Sequence, residues 1–322
     1  MGAVGLRLTN VSTIEQLSIM MGSMPVGLAA IKDRLGPLGF AVVRGLERRL
    51  SPSGLYSVLA PLAFTRAAVG RIDPLPGYFS RSIPAPTMRE ARANYFLSRI
   101  LEFFPDRLAT PKWQGCFRTS GFHHIQEARK EGRSVVLVCF HFGTFKLMPF
   151  WLRALGIPAV ALLRGKSQDR SRAKRMKDRL SPFPKLPTVF YTDDQLRTVI
   201  EFLASGHALM VAADRETRRQ ITVPIDDRWS FRMATGAFRL ASRCNAELIP
   251  VCMTDEGRWH FRLEISQPVP REYLTDRSDM MRAGQYLLHE MLPRMQQHPE
   301  YCTNYLLNCF QQNAAIPVAE SY

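Results

Sequence analysis

A histidine stands where an apolar run stops. Val135-Val-Leu-Val-Cys139-Phe-His141-Phe-Gly143 delivers an imidazole just before a glycine and an amphipathic stretch. A second apolar run, Ala208-Leu-Met-Val-Ala-Ala213, ends in Asp214 and Arg215. An imidazole at a strand end is placed where a reactive group would be, and the second run likewise delivers polar residues at its end. In open α/β sheets ligands collect outside the carboxyl ends of the strands, which is where both groups fall. The competing reading of His141 is structural, a ring that only satisfies a strand end.

Those strand ends need a sheet to hold them. From Ser134 onward, short β-branched runs alternate with amphipathic stretches. Strands are predicted at 135–139, 159–163, 188–191, 208–213 and 248–253, with helices at 144–155, 170–180, 194–204 and 235–243. Alternation of this kind predicts an α/β fold, a mixed and mainly parallel sheet wrapped by helices. The stretch 259–265 alternates like an edge strand, and 276–297 reads as a closing helix. Up to about Asp106 the spacing is helical, broken by Pro74, Pro76, Pro84 and Pro86. The expected organisation is therefore a helical N-terminal cap or membrane-docking region over 1–115 and an α/β core with a C-terminal helix over 116–322.

Composition narrows the function classes. The 322 residues are 46% hydrophobic and 22% charged, which excludes a disordered or low-complexity chain. Forty-three Lys and Arg against 28 Asp and Glu give a formal charge of +15, favouring an acidic partner such as phosphate, an anionic lipid surface or an acidic carrier protein. Nucleic acid is disfavoured, because the basic run 164–179 lacks interleaved aromatics and the chain has no zinc-finger or RNP signature. The six cysteines show no paired spacing, and His123-His124 with Glu127 reads as part of an amphipathic helix, so no metal site is expected. The first residues lack the order of a secretion signal, and no early apolar stretch runs uninterrupted for the roughly 18 residues of a spanning helix. A Gly-x-Ser-x-Gly elbow, a Walker loop and a Gly-x-Gly-x-x-Gly turn are all missing from the sequence.

The order of the landmarks carries a resemblance. His141-Phe142-Gly143, then Asp214, Val223-Pro224, Thr235-Gly236 and Pro250-Val251 are similar in sequence and spacing to the lipid A biosynthesis branch of the lysophospholipid acyltransferase-like superfamily. The likeness runs from about Gly121 to Val269. It implies a glycerolipid acyltransferase-like fold and transfer of a fatty acyl group from an acyl carrier protein or coenzyme A thioester to a hydroxyl or amine acceptor, lipid A-like, lysophospholipid-like or a specialised metabolite. His141 would be the general base, with no bound cofactor. It further implies Arg164 and Arg179 near a phosphate, and substrate contacts around Arg215, Arg232, Thr235 and Gly236. A peripheral place on the cytoplasmic face of a bacterial inner membrane, or in the cytoplasm, follows.

One departure stands out. The family places an acid five residues after the histidine, and here that residue is Lys146. A cation there would oppose charging of the imidazole. Three readings stay open: Asp214 replaces the missing acid, His141 acts alone on a better nucleophile, or the chain is a catalytically inactive homologue that binds an acyl chain or acylated carrier.

Overall fold

The computed structural model describes residues 41–69, 77–79, 84–101, 105–164, 188–191, 196–215, 217 and 219–313. The chain divides into two compact units, Met1–Arg49 and Leu50–Tyr322. In the first, residues 41–49 are helical.

The second unit opens with two helices, α1 (Pro52–Val69) and α2 (Ala85–Leu101). Leu55, Leu59, Ala63 and Ala67 recur every four residues and are buried, together with Ala93, Leu97 and Leu101 of α2. Tyr56 donates to Asn94 Oδ1 at 3.1 Å across the pair. Val58, Leu62 and Phe64 of α1 stay exposed, Leu62 at 71%. Among the described residues no helix is long and apolar enough to cross a membrane.

Two four-residue helices, α3 (Pro105–Leu108) and α4 (Pro111–Gln114), lead into the α/β layer. This contains β1 (Phe117–Ser120), α5 (Phe122–Lys130), β2 (Val135–Cys139), α6 (Met148–Ala154), β3 (Ala159–Arg164), β4 (Thr188–Tyr191), α7 (Leu196–Ala204) and β5 (Ala208–Ala212). Then come β6 (Gln220–Pro224), β7 (Trp229–Ala234), α8 (Gly236–Cys244), β8 (Glu247–Asp255), β9 (Phe261–Ile265), α9 (Arg277–Gln297), α10 (Asn304–Leu307) and β10 (Phe310–Gln312). The large sheet has the order β1-β9-β8-β2-β5-β3-β4, parallel throughout except where β9 runs against β8. The mixed, mainly parallel α/β class expected from the sequence is the one observed. β2 is buried at all five positions between β5 and β8, as a central parallel strand requires.

The large sheet differs from expectation at one margin. The segment 259–265 was expected at the edge, whereas β9 lies inside, between β8 and β1. Its alternation has another cause: Phe261, Leu263 and Ile265 face the core, while Arg262 pairs with Glu256 and Glu264 with Arg294 on the other face. The edge is β1, four residues too short to announce themselves by period. A second sheet, β10-β7-β6, is antiparallel and was not foreseen. It shares one core with the large sheet through Val136, Val138, Phe140, Phe231 and Phe238. The helix expected over 144–155 starts as a 3-10 turn at Phe145–Leu147 before α6. The helix expected at 170–180 lies outside the described residues.

Candidate active site

The register of two neighbouring strands brings the site together. β2 and β5 are parallel, with Cys139 beside Ala212. His141 and Asp214 each lie two residues further on, so they emerge side by side. The pairing continues past the strands through Ala213 N–H donating to Cys139 O at 2.9 Å. One carboxylate then takes two bonds from one residue: His141 N–H donates to Asp214 Oδ2 at 2.8 Å, and His141 Nδ1 lies 2.7 Å from Asp214 Oδ1. The Asp214 side chain is fully buried and the imidazole is 13% exposed.

A carboxylate only accepts, so this geometry assigns the ring hydrogen to Nδ1 and leaves a lone pair on Nε2. Among the described residues no group bonds Nε2. The ring rests edge-on against Phe145, centroids 4.6 Å apart, and lies 5.3 Å from the ring of Tyr305. Arg215 places its guanidinium 4.8 Å above the Tyr305 ring. The arrangement can take a proton at Nε2 and stabilise the resulting imidazolium through a buried anion.

The loop carrying His141 is clamped by backbone bonds. Gly143 has φ +58°, and a Cβ there would come within 2.3 Å of Met253 O, so only glycine fits. Gly143 N–H donates to Tyr301 O at 3.1 Å, Thr144 N–H to Met253 O at 2.9 Å, and Thr303 N–H to His141 O at 3.2 Å. Cys309 Sγ donates to Asp214 O at 3.5 Å. Burial pushes the thiols of Cys139 and Cys302 well up, so neither is a thiolate nucleophile.

Lys146 sits in the 3-10 turn with Nζ 5.7 Å from the centroid of the Phe145 ring, the ring that His141 meets edge-on. The acid partner of the imidazole comes from the neighbouring strand instead.

The remaining sequence-derived positions separate. Arg215 is beside the pair. Arg232, on β7, donates through Nη2 to Asn308 O at 3.3 Å, and its backbone N–H to Cys309 O at 2.8 Å, joining the segment that touches Asp214. Thr235 is buried, with Oγ1 on Arg219 O at 3.3 Å, and Gly236 opens α8. Ala234 N–H reaches Ala213 O at 2.7 Å, tying this end of β7 to the residue before Asp214. Arg164 ends β3, which β5 separates from β2, and its side chain lies outside the description. Arg179 lies outside the described residues. The rings of His123 and His124 lie 3.9 Å apart and tilted by 48°, and among the described residues no group of three or more His, Cys, Asp or Glu is placed to hold a metal.

Sequence reasoning missed the C-terminal segment altogether. Tyr301, Thr303, Tyr305 and Cys309 follow the closing helix in short irregular pieces that carry no period. The one available signal was a cluster of polar and aromatic residues, Tyr301-Cys-Thr-Asn-Tyr305, placed after a long helix.

The family model for bacterial lipid A biosynthesis acyltransferase matches residues 98–303, nearly two thirds of the chain. No curated protein matches the sequence. The matched span contains the five central strands, the clamped loop and both members of the buried pair. The chain belongs to the bacterial lipid A biosynthesis acyltransferase family, whose members are acyltransferases of lipid biosynthesis.

Proposed function

We propose that the chain transfers a fatty acyl group from a thioester donor, acyl carrier protein or coenzyme A, to a hydroxyl or amine of a lipid or lipid-like acceptor, with His141 as general base and Asp214 as its acid partner. The observation that carries this reading is the pair of hydrogen bonds that His141 donates, through its backbone N–H and its Nδ1–H, to the two carboxyl oxygens of Asp214. Nε2 takes the proton from the acceptor as its oxygen or nitrogen attacks the thioester carbonyl. The tetrahedral intermediate then collapses, the C–S bond breaks, and the imidazolium returns the proton to the departing sulfur. Asp214 stays ionised and holds the ring in place.

Lys146 does not exclude this chemistry, since the acid role passes to the adjacent strand. The loop around Arg215, Arg232, Thr235 and Gly236 is our choice for contacts to the donor, with Arg164 and Arg179 as further phosphate ligands. The +15 charge and the exposed Val58, Leu62 and Phe64 support peripheral docking on an anionic membrane face. Recovery in the soluble fraction at low salt would contradict that docking.

The test is free-thiol release from acyl carrier protein and coenzyme A thioesters, with and without a bacterial lipid extract, by wild type and H141A. Extract-dependent release lost in the variant is the expected result, and the product mass names the acceptor. No release by either protein, with donor binding retained by both, would replace catalysis with binding.

A further inference from the structure

Two adjoining cavities lie beside the β8–β9 turn, and neither is lined by His141. The larger, about 600 Å³, is enclosed by α2, the end of β8, β9, the end of α9 and Tyr301. That is the size range of a small-molecule site. Its lining is rich in acid: Glu90, Asp255, Glu256, Glu264 and Glu300.

Most of these acids are already matched. Arg262 takes Glu256 at 2.5 Å, Arg294 takes Glu264 at 2.6 Å, and His298 faces Glu300 at 3.1 Å. Two remain. The Glu90 side chain forms neither an ion pair nor a hydrogen bond among the described residues, and it borders both cavities. Asp255 is 4% exposed; its Oδ1 accepts Gly257 N–H at 2.7 Å, while its Oδ2 is buried without a hydrogen-bond partner among the described residues. A buried carboxyl oxygen left unbonded on a cavity wall is a costly arrangement that a donor supplied from outside would relieve. The two arginines of the larger cavity are both taken, and Arg258 and His260 border only the adjoining space of about 540 Å³.

We infer that this cavity binds the ammonium group of an amine ligand, held by the Asp255 and Glu90 carboxylates, as a free amino alcohol or amino sugar or as the amine of a lipid headgroup. A metal ion fits poorly, because among the described residues no third ligand joins these two. An ammonium needs only a few oxygen acceptors, which Asp255 Oδ2 and Glu90 supply. The Tyr56 and Tyr301 hydroxyls stand nearby, already donating to Asn94 Oδ1 and Asp255 O.

Burial pushes the Asp255 carboxyl up to about 7 and Glu256 adds to it, against the single bond from Gly257. A seated cation favours ionised Asp255, so at pH 6 amine binding expels a proton and is about tenfold weaker than at pH 8. His298 lines the same cavity and His260 the adjoining one, so Asp255→Asn isolates the aspartate's share. The cavity also touches the active site. Tyr301 lines it, donates to Asp255 O at 2.7 Å, and accepts Gly143 N–H through its own carbonyl.

Calorimetric titration of the full chain with ethanolamine and glucosamine, against ethylene glycol and glucose as uncharged counterparts, tests the inference at pH 6 and 8. A parallel arm uses phosphatidylcholine vesicles with and without phosphatidylethanolamine. Binding of the free amines alone, or of the amine-bearing vesicles alone, identifies the source. In either case Glu90→Gln and Asp255→Asn should weaken it about tenfold or more, and H141A should leave it unchanged. Glu90 is exposed, so its variant carries the test if Asp255→Asn fails to fold. Equal binding of charged and uncharged compounds, variants that bind like wild type, or no binding in any arm would overturn it. Acyl release that persists without amine binding would remove this inference and leave the acyltransferase reading intact.

Discussion

Two buried aspartates end two strands of the same sheet region, and they are treated in opposite ways. Asp214, just past β5, spends both carboxyl oxygens on His141. Asp255, at the end of β8, accepts Gly257 N–H at one oxygen, and its other oxygen is buried without a hydrogen-bond partner among the described residues. A carboxylate satisfied on both sides is a fixed anion, suited to supporting an imidazolium through repeated turnovers. One that is half satisfied, buried and beside Glu256 is held toward its neutral form, with a titration near neutral pH. Burial alone therefore does not define the role of an acid; the number of donors aimed at it does.

The comparison can be broken at either aspartate. The largest effect is expected at the base: H141A should lower acyl release by about 10⁴-fold, the upper end for a lost general base. Asp214→Asn should follow at about 10²- to 10³-fold, because the amide no longer offers two anionic acceptors and the ring loses its fixed tautomer. Gly143→Ala attacks the loop between the two regions. The added Cβ collides with Met253 O at a positive φ, so a stability loss of about 3 kcal/mol is expected in urea unfolding.

Asp255→Asn should act on stability through pH. The raised carboxyl stays protonated in the fold while the unfolded chain ionises from about pH 4, so the wild type loses stability as pH rises toward about 7. The variant escapes that loss, by at most about 1.4 kcal/mol per pH unit across the window. A difference in melting temperature that does not change with pH would contradict the assignment. The smallest effect on turnover is expected for Lys146→Met, with release within about threefold of wild type.

The strand ends were legible because burial writes itself into sequence. Val135–Cys139 and Ala208–Ala212 are continuous apolar runs, and the polar residues just beyond them, His141 and Asp214, stand out against that background. Asp214 was among the open candidates for the missing acid, and the strand register supplies what the sequence lacked, the equal two-residue offset that makes the pair meet. The small sheet was not legible, since β6 and β7 form a short hairpin and β10 joins β7 only across a long separation, with Phe310 beside Phe231. Tyr301, Tyr305 and Cys309 were hidden because they meet the site through a backbone carbonyl, a ring and a thiol in turn, contacts that no periodicity encodes. Asp255 left no trace because its significance lies in a bond it does not make.

In the proposed transfer, Asp214 performs the task of the acid absent at Lys146. Single-turnover thiol release by Asp214→Asn and Lys146→Met, measured against wild type with the same acyl thioester and acceptor, tests it most directly. A fall of about 10²-fold or more in the first, with the second nearly unchanged, is the predicted result. Wild-type release by Asp214→Asn, or a comparable loss in Lys146→Met, would contradict it.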